Sequence, residues 1–172
     1  RRYKGAVAMA DIYDFSKDLQ PTLDQRVWYI INAGLVVAVP VYLYHSVFGL
    51  DVVDTALLYG SVSLLAIIVI TLAYHNVTYW LKRRLMNQRD GIVTLNLVAS
   101  AEGKKDKELV KKHKLAQQAS TTNESVAFSI LYNNLMFLTS FSVLAFFIFP
   151  TVTPPINYVI SVVLSAGLLN FA

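Results

Sequence analysis

The residues of this 172-residue chain with the most capacity for chemistry are basic, and their spacing puts them in a row. At 100° per residue, Lys104, Lys107, Lys111 and Lys114 lie along one face of a helix predicted over Glu102 to Ala119, with Leu109, His113 and Ala116 roughly opposite. A ladder of ammonium groups on one face can follow a line of phosphates and bind it with strong salt dependence, without reading bases. The same lysines can instead set membrane orientation or touch anionic lipid headgroups, and the charge pattern leaves both readings open. Lys104 to Glu108 and Glu108 to Lys112 are four residues apart, so each pair adds roughly 0.2–0.5 kcal/mol to an exposed helix.

The remaining polar residues argue against catalysis. His45, His75 and His113 are 30 and 38 residues apart, with no His-Glu-x-x-His spacing, so no metal site is expected. Asp11, Asp14 and Asp18 resemble an acidic helical face, and Asp51 with Asp54 makes a short acidic pair, but neither group has a base or nucleophile beside it. No Ser-His-Asp order with an exposed nucleophile, Walker loop or dinucleotide glycine fingerprint appears, so neither catalytic residues nor a cofactor are expected. Zero cysteines exclude disulfides and thiolate metal sites.

Asn133 and Asn134 stand out because they interrupt an apolar run, where an unsatisfied carboxamide costs on the order of a few kcal/mol. They should face protein. Packing through hydrogen bonds to hydroxyls such as Ser61, Ser63 or Thr71 is one reading, and a polar transport pathway is the other. Packing is favoured, since the apolar runs contain no Asp, Glu, Lys or Arg. Pro40 is a third intramembrane packing candidate, structural by default, and a possible origin of a kink.

The elements that must position these residues are membrane spans. Hydrophobic residues make up 55% of the chain, charged residues 15%, and mean hydropathy is +0.48, too apolar for an ordinary soluble domain. Val27 to Phe48 holds 22 residues without Asp, Glu, Lys or Arg, a helix of about 33 Å that can cross a bilayer once. Thr55 to Tyr74 (20 residues) and Val126 to Phe149 (24 residues) exceed the length of about 18 that marks a span. Ile156 to Ala172, at 17 residues, is a span by composition but a short one. The apolar ending suggests a native chain that continues, and the absence of an initiating Met suggests either an incomplete amino end or a processed or engineered start at Arg1-Arg2-Tyr3-Lys4. No secretory signal is visible in Arg1 to Arg26, so the first span serves as the targeting signal.

All 15 Lys and Arg residues lie in Arg1 to Arg26 or Lys82 to Lys114. The first stretch holds five basic and four acidic residues, the second ten and four, and the rest no basic and three acidic. Basic residues accumulate in cytoplasmic loops, so both stretches, and with them both chain ends, are expected on the cytoplasmic side. Lys82-Arg83-Arg84 is the strongest orientation signal. Gly49 to Asp54 and Pro150 to Pro155 then form far-side links. Trp28 and Tyr29 open the first span, and Tyr79 and Trp80 follow the second, where amphipathic rings favour headgroup level. The sequons at Asn76 and Asn123 fall on the cytoplasmic side and should stay unmodified.

The fold class expected is therefore all-α: a polytopic membrane protein with four transmembrane helices and one helical cytoplasmic loop between the second and third spans. Its divisions are a cytoplasmic amino-terminal segment (1–26), a helical hairpin (27–81), a basic loop domain (82–125) and a second hairpin (126–172). Within the loop, Asp90-Gly91 predicts a helix stop, because glycine readily takes the left-handed conformation. Ile92 to Ala101 alternates partly, so helix and strand compete there, with a short helix favoured. Thr121 followed by Glu124 has capping-box spacing, which predicts that the helix entering the membrane starts there.

Asp14-Phe15-Ser16, Pro40-Val41-Tyr42-Leu43-Tyr44, Ala56-Leu57-Leu58-Tyr59, Ala73-Tyr74-His75-Asn76-Val77, Phe128-Ser129-Ile130-Leu131-Tyr132-Asn133-Asn134 and Asn157-Tyr158 appear in that order along the four runs. In this order and spacing the chain resembles the gamma-subunit family of the translocon-associated protein complex, also called the signal sequence receptor complex, of the endoplasmic reticulum. The resemblance implies a non-enzymatic, multi-pass subunit of a hetero-oligomer, placed with its sibling subunits beside the Sec protein-conducting channel among membrane lipids. It further implies contact with the translating ribosome through the cytoplasmic loop and help for precursors starting translocation. On that implication Lys82, Arg83, Arg84, Arg89, Lys104, Lys105, Lys107, Lys111, Lys112 and Lys114 are candidates for ribosomal RNA phosphates, with ribosomal protein as a further contact. A small channel or transporter, with polar spots at Asn133, Asn134 and His45, and a lipid-surface adaptor are the competing classes.

Overall fold

The computed structural model describes residues 22–51, 53–98 and 104–170, and the side chains of 22–51, 53–86, 88 and 115–170. Asp11, Asp14 and Asp18 lie outside the described residues. Among the described residues four helices follow one another: α1 (Leu23–Ser46), α2 (Ala56–Val98), α3 (Lys104–Val143) and α4 (Pro154–Leu168), with a π-helical turn at Leu144–Ile148 closing α3. Among the described residues there is no strand. Of the described residues three segments are long and apolar enough to cross a membrane, Leu23–Ser46, Ala56–Met86 and Leu115–Ile148; α4 is apolar but has 15 residues.

Two of the expected boundaries are displaced. α2 runs through Gly91 without a break, so Asp90-Gly91 is not a stop, and Ile92 to Val98 is helical. A lone helical glycine costs about 1 kcal/mol relative to alanine, which by itself is too little to end a helix. α3 likewise passes through Thr121 to Glu124. The hydroxyls around the expected cap bond within the helix: Ser120 Oγ donates to Glu124 Oε1 at 3.1 Å, Thr122 Oγ1 to the Gln118 carbonyl at 2.8 Å and Ser125 Oγ to the Thr121 carbonyl at 2.7 Å. The last two are mid-helix back-bonds, in which the hydroxyl leans on the preceding turn instead of satisfying a free N–H, and the first is a side-chain pair one turn apart.

The chain divides into two compact units. One is built on Val77–Val126, the other on Leu23–Asn76 and the residues from Ala127 onward. In the second unit the buried positions recur at helical spacing: Tyr29, Ala33, Val36, Val37, Pro40 and Tyr44 on α1; Tyr59, Val62, Ala66, Ile70 and Ala73 on α2; Phe137 and Phe141 towards the end of α3, with Ala145 following in the π-helical turn. The outward faces are as apolar as the core. Leu35, Leu57, Leu64, Leu131 and Phe147 are exposed, and only 22% to 33% of each apolar window is buried within the chain. Hydrophobic surface on all sides of a helix matches a lipid environment, where such surface need not be hidden.

Aromatic rings fill one end of this unit. Tyr158 meets Tyr44 edge-on at 5.1 Å between centroids and Tyr59 at 4.8 Å, and Tyr44 stacks on Phe48 at 4.5 Å. Such pairs contribute about 0.5–1.5 kcal/mol each beyond area burial. The α1 exit is closed by Gly49 at φ 65°, which lets the Leu50 N–H reach the Tyr44 carbonyl at 3.2 Å. Asp51, in the link to α2, accepts the Val53 N–H on Oδ1 at 2.9 Å and the Thr55 N–H on its carbonyl at 3.1 Å, which gives this acidic residue a turn-forming role.

Candidate interaction sites

The asparagines of the third apolar run occupy different environments. Asn133 is fully buried; its Nδ2 donates to the Ser129 carbonyl at 2.8 Å and lies 3.4 Å from Ser129 Oγ, while its Oδ1 has no hydrogen-bond partner. Asn134 Oδ1 accepts the hydroxyl of Tyr74, linking α3 to α2. Ser129 Oγ makes a second link, donating to the Tyr74 carbonyl at 2.7 Å. The hydroxyls expected as partners do other work: Ser63 pairs with the Tyr158 hydroxyl at 3.1 Å, Ser61 donates to the Leu58 carbonyl at 3.2 Å, and Thr71 Oγ1 is buried without a partner. Pro40 lies buried inside α1.

A second polar site was not singled out by sequence reasoning. In the π-helical turn the Phe149 N–H reaches the Leu144 carbonyl at 2.9 Å, so nearby carbonyls lose their usual α-helical partners. Asn157, buried on α4, supplies the donor: Nδ2 bonds the Ala145 carbonyl at 3.1 Å and the Phe149 carbonyl at 2.9 Å. Its Oδ1 in turn accepts Ser161 Oγ at 2.8 Å, and Ser165 Oγ continues the ladder to the Ser161 carbonyl. The available signal was the spacing of Asn157, Ser161 and Ser165 at four residues within an apolar run. Pro154 and Pro155 start α4, where a missing N–H leaves no bond unmade.

In the unit built on Val77–Val126, the basic residues separate. Lys82 is 7% exposed and shares an inward face with Thr78 and Met86, each four residues apart, whereas Arg83 and Arg84 are exposed. The Arg84 guanidinium lies 5.3 Å from the Trp80 ring centroid, a cation–π contact. Arg89, in α2, and Lys104, Lys105, Lys107, Lys111, Lys112 and Lys114, in the first three turns of α3, occupy helical backbone. Their spacing in that helix puts Lys104, Lys107, Lys111 and Lys114 on one face.

Among the described residues nothing assembles a catalytic centre. His45 Nδ1 is 3.0 Å from the Leu50 carbonyl, a local contact closing the α1 exit, and His75 is half-buried. Among the described residues no group of three His, Cys, Asp or Glu side chains could hold a metal ion. An open groove of about 460 Å³ beside α1 and α2 has Tyr42, His45 and Ser63 as its polar lining, without a paired acid and base.

Long apolar helices joined by polar ladders, with basic residues gathered where the apolar segments end, place the chain in the class of helical membrane proteins. The family model for "Translocon-associated protein, gamma subunit (TRAP-gamma)" matches residues 10–172. A relative from Dictyostelium discoideum, "Translocon-associated protein subunit gamma", is 37% identical over 166 residues, covering 95% of this chain and 96% of its own length. The chain belongs to the TRAP-gamma family and is accordingly a non-enzymatic membrane component.

Proposed function

We propose that the chain is a gamma subunit of a translocon-associated complex in the endoplasmic reticulum membrane. In this reading it contacts the translating ribosome through its basic cytoplasmic segment and assists co-translational translocation through the Sec channel. The observation that carries it is the family match from residue 10 to residue 172, which includes both the apolar helices and the lysine-bearing start of α3. The proposed topology has four spans with both ends cytoplasmic, the bundle packing against sibling subunits and the channel. The segment from 82 to 125 then reaches the ribosome, and linking the two attachments raises effective concentration without new chemistry.

The lysine row suits ribosomal RNA phosphates, since each phosphate contact to a single strand adds about 0.7 to the slope of log affinity against log salt. Reversing Lys104, Lys107, Lys111 and Lys114 to Glu is expected to weaken ribosome co-sedimentation with detergent-solubilised complex and to flatten its salt dependence, with helicity by circular dichroism unchanged. Unchanged ribosome binding would remove the proposed role of the row. Anionic vesicles run beside the ribosomes identify a lipid-surface adaptor if they bind equally well.

A further inference from the structure

Tyr79, Trp80, Arg83 and Arg84 form two aromatic–arginine pairs, each four residues apart, side by side where the apolar segment of α2 ends. Residues at this spacing are neighbours on a helix surface. Tyr79 is 42% and Trp80 60% exposed, both arginines are exposed, and Arg84 is already held over the Trp80 ring at 5.3 Å. Neither guanidinium has a carboxylate partner among the described residues. Lys82 differs: it is buried and engaged.

We infer that these four residues form a binding site for the phosphate of an anionic phospholipid. The inference rests on the reading of α2 as a membrane span. Aromatic rings of this kind settle at headgroup level, and four residues of helix rise about 6 Å, which lifts the arginines from ring depth to phosphate depth. Stacking on Trp80 fixes the plane of the Arg84 guanidinium while its N–H groups stay available at the plane's edge, so a phosphate can be taken bidentately. Ribosomal RNA offers phosphates too, but it does not explain two exposed rings placed on the apolar side of each arginine. The site separates Arg83 and Arg84 from the lysine row and assigns them the membrane surface.

The test uses the full chain in lipid nanodiscs with Trp28→Phe, which leaves Trp80 as the sole tryptophan of the two in the sequence. Energy transfer from Trp80 to dansyl-phosphatidylserine is compared with transfer to dansyl-phosphatidylcholine. The anionic lipid is expected to be enriched at Trp80. Arg83→Gln with Arg84→Gln is expected to reduce that enrichment about fivefold or more, since each basic residue near the surface adds about a fivefold preference. Arg84→Lys should restore it only in part, and Lys112→Gln should leave it unchanged. Equal transfer to the two lipids, or enrichment that survives the double substitution, overturns the proposal. Loss of the signal to millimolar inorganic phosphate reveals a general phosphate site, and loss to single-stranded RNA an RNA site; either outcome also overturns it. Quenching of Trp80 by acyl-chain-brominated phosphatidylcholine tests the span separately: quenching without anionic enrichment sinks the lipid site alone, and no quenching sinks the span reading with it.

Discussion

Three asparagines in this chain illustrate how a carboxamide's value in an apolar setting depends on what its two ends meet. Asn157 uses both: Nδ2 serves the Ala145 and Phe149 carbonyls and Oδ1 takes the Ser161 hydroxyl. Asn133 uses one, with Oδ1 buried and unpartnered. Asn157→Leu strands two carbonyls and a hydroxyl, each of which costs about 1–3 kcal/mol when left unsatisfied in a buried place. Asn133→Leu removes an orphaned acceptor together with one local bond, so its net cost is smaller. The expected order of thermal stability in detergent is Asn133→Leu above Asn157→Leu, and the reverse order would contradict the hydrogen-bond assignments. Between Tyr74 and Asn134 the bond crosses helices, so Tyr74→Phe and Asn134→Ala should couple in a double-mutant cycle by about 0.6 kcal/mol, the average for interhelical bonds in membranes. The pair 133–134 was legible because two amides in an apolar run demand an explanation. Asn157 was not, because its role exists only once the chain makes a π-helical turn twelve residues earlier, and no local residue pattern announces that turn.

At the scale of elements, the apolar runs were legible because length and freedom from charge are properties of the sequence itself. Leu23–Ser46 contains all but the last two residues of the first run, Ala56–Met86 all but the first residue of the second, and Leu115–Ile148 all but the last residue of the third. Helix ends within the polar stretch were not, because glycine and Thr-x-x-Glu signals are conditional. Glycine at position 91 can terminate a helix or be carried through it, and Thr121 to Glu124 can cap a helix or bond back along one. The flanking residues decide. Gly91→Ala separates the two cases for α2. In a continuous helix the substitution stabilises by about 1 kcal/mol, through propensity and a less flexible unfolded chain. Were Gly91 a left-handed cap, the added methyl would destabilise instead. Amide hydrogen exchange across residues 88–98 is expected to slow in the variant, and faster exchange would mean that the helix ends where the dipeptide first suggested.

For the whole molecule, the proposed topology makes each charge class answerable to one side of the membrane. The helix that bears most on the span count is α4, whose 15 residues rise about 22 Å against a hydrocarbon core of about 30 Å. Just beyond it, Asn170 Nδ2 reaches the Val69 carbonyl at 3.4 Å, 13 residues into α2, so the two helices keep level over that distance. A fourth crossing therefore needs the apolar residues that follow Leu168 to continue the rise. In the proposed topology, drawn from the basic bias, the 82–125 segment lies in the cytoplasm and the Pro150 to Pro155 link on the far side. The chain has no cysteine of its own, which makes single-cysteine labelling unambiguous. Ser120 and Thr151 are exposed positions in the two segments, so Ser120→Cys and Thr151→Cys should label oppositely in sealed microsomes. A membrane-impermeant maleimide is expected to modify Cys at 120 directly and Cys at 151 only after the membrane is opened, and Asn123, exposed in its sequon, is expected to stay free of glycan. Labelling at 120 only after the membrane is opened, or glycan on Asn123, would place the basic segment on the wrong side for a ribosome and remove the proposed function at its root; labelling of both positions in intact vesicles would instead remove the far-side placement of the Pro150 to Pro155 link.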